Sequence, residues 1–417
     1  MSKFKKYERY KDSGVEWLGE IPEHWEISKL KYLTYCLDGK RIPLSSEQRG
    51  EMQGDIPYWG ANCIIDYVND WLIDGEVVLL GEDGAPFFDK YKDVAFYSNE
   101  KIWPNNHVHV LRALQSINVK LLTYILNTVD YSNYIKGSTR DKLTQSEMKN
   151  IFIQLPPVKE QKAIANFLDQ KTTEIDNLIA DKEKLIELLQ EKRQAIITEA
   201  VTKGLNPNVR MKDSGIEWIG EIPEHWEVKK LKHVSNITMG QSPKSEECSY
   251  DEIGVPFLQG NAEFTNVHPI PKMYCNTANK FSKVNDILLS VRAPVGAINI
   301  SDRVYGIGRG LCAITAKKVI MKYLWYSLNV SLEELFIKSK GSTFEAVTVT
   351  DVQNLLIILP PKNEQDDIVN FLDKKTAEID GLVIEIKKQI EKLKEYRQSL
   401  ISEAVTGKIY VRDYAID

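Results

Sequence analysis

The stretch that decides the fold is Lys11-Asp-Ser-Gly-Val-Glu-Trp-Leu-Gly-Glu-Ile-Pro-Glu-His-Trp-Glu-Ile-Ser-Lys-Leu-Lys31. It occurs again as Lys212-Asp-Ser-Gly-Ile-Glu-Trp-Ile-Gly-Glu-Ile-Pro-Glu-His-Trp-Glu-Val-Lys-Lys-Leu-Lys232, with 17 of 21 positions identical at an offset of 201 residues. Self-similarity at a fixed separation is the signature of an internal repeat. The sequence therefore predicts one unit of roughly 200 residues that is present twice.

A second repeated framework follows at an offset of 204 residues. Between the repeated edges, residues 32–135 and 233–339 share only sparse points, such as Pro57 and Pro256. A framework that repeats around differing contents indicates one scaffold that presents two different surfaces, and a decaying duplication is the alternative. The repeated segments are Lys136-Gly-Ser-Thr139 with Lys340-Gly-Ser-Thr343, Leu155-Pro-Pro-Val-Lys-Glu160-Gln161 with Leu359-Pro-Pro-Lys-Asn-Glu364-Gln365, and Glu199-Ala-Val-Thr202 with Glu403-Ala-Val-Thr406.

Composition indicates a globular protein, because 43% of the 417 residues are hydrophobic and 27% are charged. This excludes a disordered chain, a collagen and a disulfide-stabilised mini-protein. The five cysteines form no CxxC pair, which favours a reducing cytoplasm over a disulfide framework or a zinc knuckle. No stretch approaches the roughly 18 apolar residues of a membrane span, so we expect a cytoplasmic protein without a membrane partner.

The charge balance predicts a weak electrostatic grip on nucleic acid. The chain has 54 Lys+Arg and 59 Asp+Glu, a net charge of −5. Residues 232–361 hold 13 basic and 11 acidic side chains, and residues 31–159 hold 14 and 16. Any contact with DNA must then come from a few placed loops, with marked sensitivity to salt.

Two long amphipathic helices are predicted from apolar residues at spacings of three, four and seven. The first follows the Pro156-Pro157 break and meets neither Pro nor Gly before Gly204. Because residues 204–211 form only a short connection, the second helix must run back along the first as an antiparallel coiled coil. The apolar stripes are Ile164, Leu168, Ile175, Leu178, Leu185, Leu189 and Ile196, and Ile368, Leu372, Ile379, Leu382, Ile386, Ile390, Leu393 and Leu400.

The predicted fold is α+β, with two globular domains in a pseudo-two-fold arrangement separated by this antiparallel coiled coil. Short apolar runs between turn residues, such as Val77–Leu80, Val108–Leu111 and Leu311–Thr315, predict strands. Short helices are expected over 119–131 and 319–336. The predicted domains are residues 1–155 with the N-terminal edge segment, the helix 156–204, residues 205–359, and the helix 360–417.

No catalytic or metal site is predicted. Tyr305-Gly-Ile-Gly-Arg-Gly310 lacks the strand–loop–helix context of a nucleotide-binding loop, so a glycine turn that brings backbone or Arg309 close to something is preferred. His107 and His109 share a strand face without a third ligand nearby. The acidic pairs Glu82-Asp83 and Glu246-Glu247 are better explained as solvated turns.

The repeated edges offer aromatic and hydroxylated side chains with two possible roles. Trp17, His24 and Trp25, with Trp218, His225 and Trp226 in the copy, could stack on bases or contact a partner, but burial against the helix start is preferred. The two Lys-Gly-Ser-Thr segments are suited to phosphate contacts. An equally favoured interpretation is that they cap the start of a helix.

The loops within residues 32–135 and 233–339 carry side chains suited to reading bases. Asn and Gln match adenine, and Arg and Lys match guanine. The predicted DNA-binding residues of the first half are Lys40, Arg41, Trp59, Asn62, Lys90, Lys92, Asn105, Asn106, Lys136 and Thr139. Those of the second half are Gln241, Ser242, Lys244, Gln259, Asn261, Arg292, Arg303, Arg309, Lys340 and Thr343.

The repeated edges, in this order and present twice, resemble the DNA-specificity subunit of type I restriction-modification enzymes over almost the whole chain. The carriers are Trp17…Gly19…Ile21-Pro22…His24-Trp25, the Gly-Ser-Thr segments, and the Leu-Pro-Pro…Glu-Gln helix starts with their copies. The resemblance implies two target-recognition domains that read a bipartite double-stranded DNA site. It also implies helices that span a fixed spacer and dock two methyltransferase subunits, with motor and nuclease subunits as possible further partners.

S-adenosylmethionine is expected in those methyltransferase subunits, and no cofactor is expected in this chain, which is predicted to be a non-catalytic subunit. Glu160, Gln161, Glu364 and Gln365, at the helix starts, are the predicted partner-binding residues. Three alternatives stay open: the specificity component of a two-subunit type II enzyme, a coiled-coil adaptor that does not bind DNA, and an intrinsic methyltransferase.

Overall fold

The computed structural model describes residues 4–135, 141–217, 219–243, 247–339 and 347–414. The chain divides into two compact units: unit 1 is Met1–Lys184 with Ile386–Asp417, and unit 2 is Leu185–Glu385. Both units combine helices with small sheets, which confirms the predicted α+β class. In the described parts of the chain, no helix is both long and apolar enough to cross a membrane.

Unit 1 is built on a four-stranded antiparallel sheet and a smaller three-stranded sheet. Its strands are β1 (Tyr10–Asp12), β2 (Glu20–Pro22), β3 (Glu26–Lys29), β4 (Thr34–Cys36), β5 (Gln53–Trp59), β6 (Ile64–Val68), β7 (Val77–Gly81), β8 (Ala95–Ser98), β9 (Trp103–Pro104), β10 (Val108–Ala113) and β11 (Phe152–Leu155). Its short helices are α1 (Ser46–Glu51), α2 (Val119–Leu126) and α3 (Gln145–Lys149). The sheets have the orders β4-β10-β7-β8 and β6-β5-β9, and two-stranded sheets pair β1 with β2 and β3 with β11.

Strand β7 forms the centre of the unit 1 core. Val77 and Leu79 pack with Trp59 of the smaller sheet on one face, and α2 contacts the same strand. A strand covered on both faces has a continuous apolar sequence rather than an alternating one. The strands predicted at 77–80 and 108–111 are thus confirmed as β7 and β10.

Unit 2 repeats this scaffold. Its strands are β12 (Met211–Asp213), β13 (Glu221–Pro223), β14 (Glu227–Lys230), β15 (Ser235–Met239), β16 (Cys248–Ser249), β17 (Val255–Leu258), β18 (Met273–Cys275), β19 (Ile287–Ser290), β20 (Ile298–Ile300), β21 (Gly306–Ile307), β22 (Leu311–Ala316) and β23 (Leu356–Leu359). The sheet β15-β22-β19-β20 has the order of β4-β10-β7-β8. The parallel pair β17 and β21 likewise matches the parallel pair β5 and β9.

Two long helices follow the repeated Leu-Pro-Pro segments: α4 (Val158–Lys203, 46 residues) and α7 (Lys362–Val405, 44 residues). At a rise of 1.5 Å per residue they are about 69 and 66 Å long. Unit 2 also contains α5 (Met321–Ser339) and α6 (Val349–Asn354). Gly204 and Gly407 end the long helices with φ of +76° and +72°, a left-handed conformation that glycine adopts without strain.

The long helices run antiparallel within each unit. In unit 1, Lys182 Nζ donates to Gln389 Oε1 at 2.7 Å, and Arg397 Nε lies 2.9 Å from Asp176 Oδ1. Later residues of α4 therefore meet earlier residues of α7. In unit 2, Arg193 Nε lies 3.0 Å from Asp380 Oδ1.

The buried face of α4 differs in part from the predicted stripe. Ile164, Leu168 and Ile175 are buried as predicted, but Leu178 and Leu185 are each 44% exposed. Ile179 is buried instead. A period of 3.6 residues turns a straight helix relative to a strict seven-residue repeat, so the seam moves to the neighbouring position.

The boundary between the compact units lies inside both long helices, at 184/185 and 385/386. The predicted division into four consecutive ranges places boundaries at the helix ends instead, near 155, 204 and 359. That division into domains stays a prediction, whereas each compact unit contains part of both long helices.

Candidate nucleic-acid interface

Three loops of unit 2 meet at one end of its sheets. They are Gly240–Ser242 after β15, Gln259–Asn261 after β17, and Gly308–Gly310 between β21 and β22, which we call the unit 2 loop cluster. Backbone hydrogen bonds join them: Gln241 N donates to Ile307 O at 2.9 Å, and Gly308 N donates to Leu258 O at 2.8 Å. The strands thus bring together residues that are up to 70 positions apart in the sequence.

The glycines of this cluster are required by close backbone approach. A Cβ on Gly240 would lie 2.1 Å from Gly308 O, and one on Gly310 would lie 2.6 Å from Gln259 O. A Cβ on Gly308 would lie 3.0 Å from Gln259 Cα. Only glycine allows three backbones to approach so closely. The predicted glycine turn is found at residues 308–310, where backbone comes close to Gln259, whereas Gly306 and Ile307 belong to strand β21.

Polar side chains project from the unit 2 loop cluster. Gln259 Nε2 donates to Ser242 Oγ at 2.8 Å, and Ser242 Oγ also accepts from Arg309 N at 3.2 Å. Gln241, Gln259 and Arg309 are exposed. Amide and guanidinium groups provide the donor and acceptor pairs that distinguish bases in the major groove.

Two further predicted residues lie beside this cluster. Asn261 is half-buried and begins a short 3-10 helix two residues after Gln259. Arg292 is exposed, and Val291 N of the preceding residue donates to Gly310 O at 2.9 Å. The structure therefore brings six predicted residues to one place: Gln241, Ser242, Gln259, Asn261, Arg292 and Arg309.

Arg303 has a different environment. Its guanidinium lies 3.0 Å from Asp302 Oδ2, and that carboxylate raises the pKa of Arg303. Within the described part of the chain, the hydrogen bonds of its guanidinium go to Asp302 and not to the loop cluster. Predicted residues that lie outside the described part of the chain are Lys136, Thr139, Lys244, Lys340 and Thr343.

Unit 1 places its loops at the same strand ends. The unit 1 loop cluster consists of Asp38–Arg41 after β4, Gly60–Asn62 after β5, and Asn105–His107 between β9 and β10. Asn105 N donates to Trp59 O at 3.0 Å, as Gly308 N does to Leu258 O in unit 2. Lys40, Asn62 and Asn106 are exposed at the loop tips. The two units thus offer equivalent surfaces with different side chains.

Three predicted DNA-binding residues of unit 1 point inward instead. Trp59 is 9% exposed and packs on Phe96 with a ring separation of 5.4 Å. Asn105 Oδ1 accepts from His107 N at 2.7 Å, and Arg41 Nη1 donates to Val108 O at 2.9 Å. These side chains make contacts within unit 1, so their placement does not support contacts with DNA bases.

The predicted residues Lys90 and Lys92 lie on the connection between β7 and β8. Lys92 Nζ is 3.2 Å from Asp89 Oδ2, and Lys90 lies over the Tyr91 ring at 4.8 Å. Both line a cavity with Glu395 of α7. Their DNA role stays a prediction, and the cavity belongs to a different part of unit 1 from the loop tips.

A buried ionic network lies beneath the unit 1 loop cluster. Asp38 Oδ2 lies 2.6 Å from His109 Nδ1, and His109 Nε2 lies 2.8 Å from Leu143 O. Burial alone would raise the pKa of Asp38, but bonds from His109 and the nearby Arg41 guanidinium hold it well below its usual range. Asp38, Glu82 and His109 lie within reach of one another as possible metal ligands. Arg41 already pairs with both carboxylates, which favours a salt-bridge network over a cation site.

The repeated Trp residues anchor the edge segments to the long helices. Trp25 and Trp226 are fully buried, which confirms the preferred interpretation of these two residues. Trp25 Nε1 donates to Glu160 Oε1 at 3.2 Å, and Trp226 Nε1 donates to Glu364 Oε2 at 2.9 Å. His24 and His225 reach the same carboxylates at 2.9 and 2.7 Å. Trp218 lies outside the described residues.

Unit 1 adds a third donor to this arrangement. The Tyr7 hydroxyl donates to Glu160, and burial together with that carboxylate raises the pKa of Tyr7 above its usual range. Glu160 is 2% exposed, whereas the Glu364 side chain is 33% exposed. Sequence reasoning missed Tyr7 because residues 1–10 are not part of the repeated edge.

Gln161 and Gln365 fix the chain that leads into α2 and α5. Gln161 Oε1 accepts from Asn118 N at 2.7 Å, and Gln365 Oε1 accepts from Ile320 N at 2.9 Å. Both glutamines are 1% exposed. The four predicted partner-binding residues, Glu160, Gln161, Glu364 and Gln365, thus make internal contacts, and their partner role stays a prediction without support from their placement.

A repeated pair of aspartates holds the same short helices against the long ones. Tyr124 OH donates to Asp169 Oδ1 at 2.9 Å, and Tyr326 OH donates to Asp373 Oδ1 at 2.9 Å. Sequence reasoning did not select these aspartates, although both end the repeated Asn-Phe-Leu-Asp motif. That repetition was the signal that could have found them.

The sequence model of the type I restriction modification DNA specificity domain matches residues 22–188 and again residues 223–392. The chain belongs to this type I specificity family. Each match begins at the proline of the repeated Ile-Pro pair and contains one loop cluster. The family assignment agrees with the resemblance seen in the repeated edges.

Relatives in the type I specificity family align over nearly the whole chain. A Methanocaldococcus jannaschii protein named as the type I restriction enzyme MjaX specificity subunit is 32% identical over 98% of both chains. The type I restriction enzyme MjaVIII specificity subunit of the same organism is 26% identical over 94% of this chain and 95% of its own.

Solved structures with low sequence identity share the fold. A chain from work on complex assembly and conformational transition of the type I R-M system has a TM-score of 0.70 at 21% identity, covering 92% of this chain and 98% of its own. The HsdS subunit from Thermoanaerobacter tengcongensis has a TM-score of 0.52 at 23% identity, covering 93% and 98%.

Proposed function

We propose that the chain is the DNA-specificity subunit of a type I restriction-modification enzyme, and that each loop cluster reads one half of a bipartite target. The observation that carries the proposal is the pair of loop clusters, which occupy equivalent strand ends in the two units but expose different side chains. Lys40, Asn62 and Asn106 would read one half-site. Gln259 and Arg309, with their neighbours, would read the other.

The proposal extends to partners. As a member of a family of specificity subunits, the chain acts through assembly with other restriction-modification subunits. We propose two methyltransferase subunits, which bind S-adenosylmethionine and methylate adenine, with motor and nuclease subunits joining the same complex. This chain supplies recognition and no catalytic group. The family assignment supports this division of labour and gives no support to a type II component, an adaptor or an intrinsic methyltransferase.

The test measures half-site preference in the assembled complex. The target is first identified from the sites that the complex methylates in a random-sequence plasmid library. One variant combines Gln259→Ala with Arg309→Ala, and a second combines Lys40→Ala with Asn106→Ala. Each lost base contact costs about 1–3 kcal/mol and each double variant removes two, so we expect the preference at one half-site to fall by about 30-fold or more. The other half-site should keep its preference.

Arg303→Ala is the matched control, because Arg303 is exposed and lies in the same unit but pairs with Asp302. It should leave both half-sites unchanged. If the two double variants relax the same half-site, or if neither changes any preference, the loop clusters are not the reading surfaces.

A further inference from the structure

Two lysines of the repeated edge are present in both units; three of these four residues are exposed, and Lys29 is half-buried. Lys29 and Lys31 in unit 1 correspond to Lys230 and Lys232 in unit 2. Lys29 Nζ donates to Asn150 Oδ1 at 3.3 Å, and Lys31 lies over the Tyr32 ring at 4.9 Å. Among the residues that the structure describes, none of these four lysines pairs with a carboxylate.

Further cations and rings surround these lysines in each unit. In unit 1, Lys149 donates to Gln145 rather than to an acid, and Tyr32 and Tyr35 are 64% and 65% exposed. We call Lys29, Lys31, Tyr32, Tyr35 and Lys149 the unit 1 stripe.

The unit 2 stripe has the same character. The backbone N–H groups of Lys317 and Lys318 both donate to Val234 O, which places these exposed lysines beside His233. The unit 2 stripe consists of Lys230, Lys232, His233, Lys317 and Lys318. The acidic residue of β14, Glu227, pairs with Lys229 at 2.5 Å.

Each stripe is joined to its loop cluster by an edge strand. In unit 1, β4 begins two residues after Tyr32 and leads to Lys40. In unit 2, β15 begins two residues after His233 and leads to Gln241. Eight residues span at most about 26 Å at 3.3 Å each, the length of about eight base pairs at 3.4 Å. One duplex could therefore contact both the loops and the stripe of a unit.

We propose that the two stripes bind the phosphate backbone of the DNA beside each half-site. The loop clusters differ between the units because the half-sites differ in sequence. The lysines of the edge are kept because phosphates are the same in any sequence. This inference rests on the proposed function and adds a sequence-independent contact to it.

The charges fit this ligand. An unpaired lysine that neutralises a phosphate releases a condensed counterion, whereas a lysine already paired with a carboxylate contributes little. Exposed tyrosine hydroxyls are also suitable phosphate donors. An acidic face of a partner subunit is the competing occupant, and the experiment separates the two.

The experiment measures the salt dependence of DNA binding by the assembled complex. Lys31→Gln is combined with Lys232→Gln, one change in each stripe. Each phosphate contact contributes about 0.9 to the slope of log K against log salt, so the slope should become shallower by about 1.8. Adding Lys149→Gln and Lys318→Gln should bring the change to about 3.6. Specific and unrelated duplexes should show the same change.

Lys171→Gln with Lys375→Gln is the matched control, since these lysines also occupy equivalent positions in the repeat but pair with Glu174 and Glu378 at 2.6 and 2.8 Å. The control should leave the slope unchanged. An unchanged slope of log K against log salt in the stripe variants would overturn the inference. So would weaker assembly of the complex if the complex that does assemble binds DNA with an unchanged slope. Failure of the unaltered complex to bind any duplex would instead refute the proposed function.

Discussion

Replacing Gln161 by Met removes three hydrogen bonds from the interior of unit 1. Gln161 Nε2 donates to Pro156 O at 2.8 Å and to Ser116 O at 3.0 Å, and its Oε1 accepts from Asn118 N at 2.7 Å. Each neutral hydrogen bond contributes about 1 kcal/mol net. We therefore expect Gln161→Met to lower the free energy of unfolding by about 3 kcal/mol.

The second repeat gives an internal comparison. Gln365 Nε2 donates to Pro360 O at 2.8 Å, and its Oε1 accepts from Ile320 N at 2.9 Å. With two bonds instead of three, Gln365→Met should cost about 2 kcal/mol. Gln170, which is exposed on α4, provides the control, and Gln170→Met should change stability by less than about 0.5 kcal/mol.

The assay is urea unfolding of the full chain. Hydrogen exchange is measured separately for the peptides that cover residues 116–126 and 320–328. At a slope of about 3 kcal/mol per M, the midpoints should fall by about 1 M for Gln161→Met and about 0.7 M for Gln365→Met. Equal midpoints for Gln161→Met and Gln170→Met would refute the reasoning. So would a larger loss for Gln365→Met than for Gln161→Met.

Two further predictions concern the loop clusters. Gly308→Ala should weaken discrimination at the unit 2 half-site about tenfold and leave the other half-site unchanged. The reason is that the new Cβ would lie 2.8 Å from Gln259 Oε1 and displace the Gln259 side chain. Half-site methylation profiles measure this, and an unchanged unit 2 profile would contradict the prediction. Asp38→Asn should flatten the acid dependence of stability. The folded pKa of Asp38 is lowered, so its ionised form adds stability above about pH 4 that is lost as the pH falls toward the folded value. Urea midpoints at about pH 6 and pH 3 measure the difference, and equal slopes for variant and parent would contradict it.

The repeat made the scaffold predictable from the sequence. The 17 identical positions of the edge and the Leu-Pro-Pro helix starts indicated two equivalent units and two long antiparallel helices. Continuous apolar runs located β7, β10 and β22, because strands covered on both faces contain little else. These features depend on local sequence patterns, which is why they could be read without a structure.

The loop clusters were only partly predictable. The chemistry of Gln259 and Arg309 predicts base contacts, but the two residues meet because β17 and β21 pair in parallel, which no local pattern reveals. Trp59 and Arg41 have equally suitable chemistry but point inward, because Trp59 packs in the core and Arg41 pairs with Asp38. Whether a side chain projects or packs depends on contacts between segments that are distant in the sequence.

Unit 1 is built from two separate chain segments, and this affects the order in which the two units finish folding. Unit 2 is one continuous segment, whereas unit 1 needs Ile386–Asp417 as well as Met1–Lys184. Gln154 Nε2 donates to Val405 O at 3.0 Å, and the ring of Trp25 lies against Gly407. At about 5–20 residues per second, the ribosome adds the residues that make these contacts about 11–45 s after Lys184. The half of the protein that is translated first is therefore the half that finishes folding last.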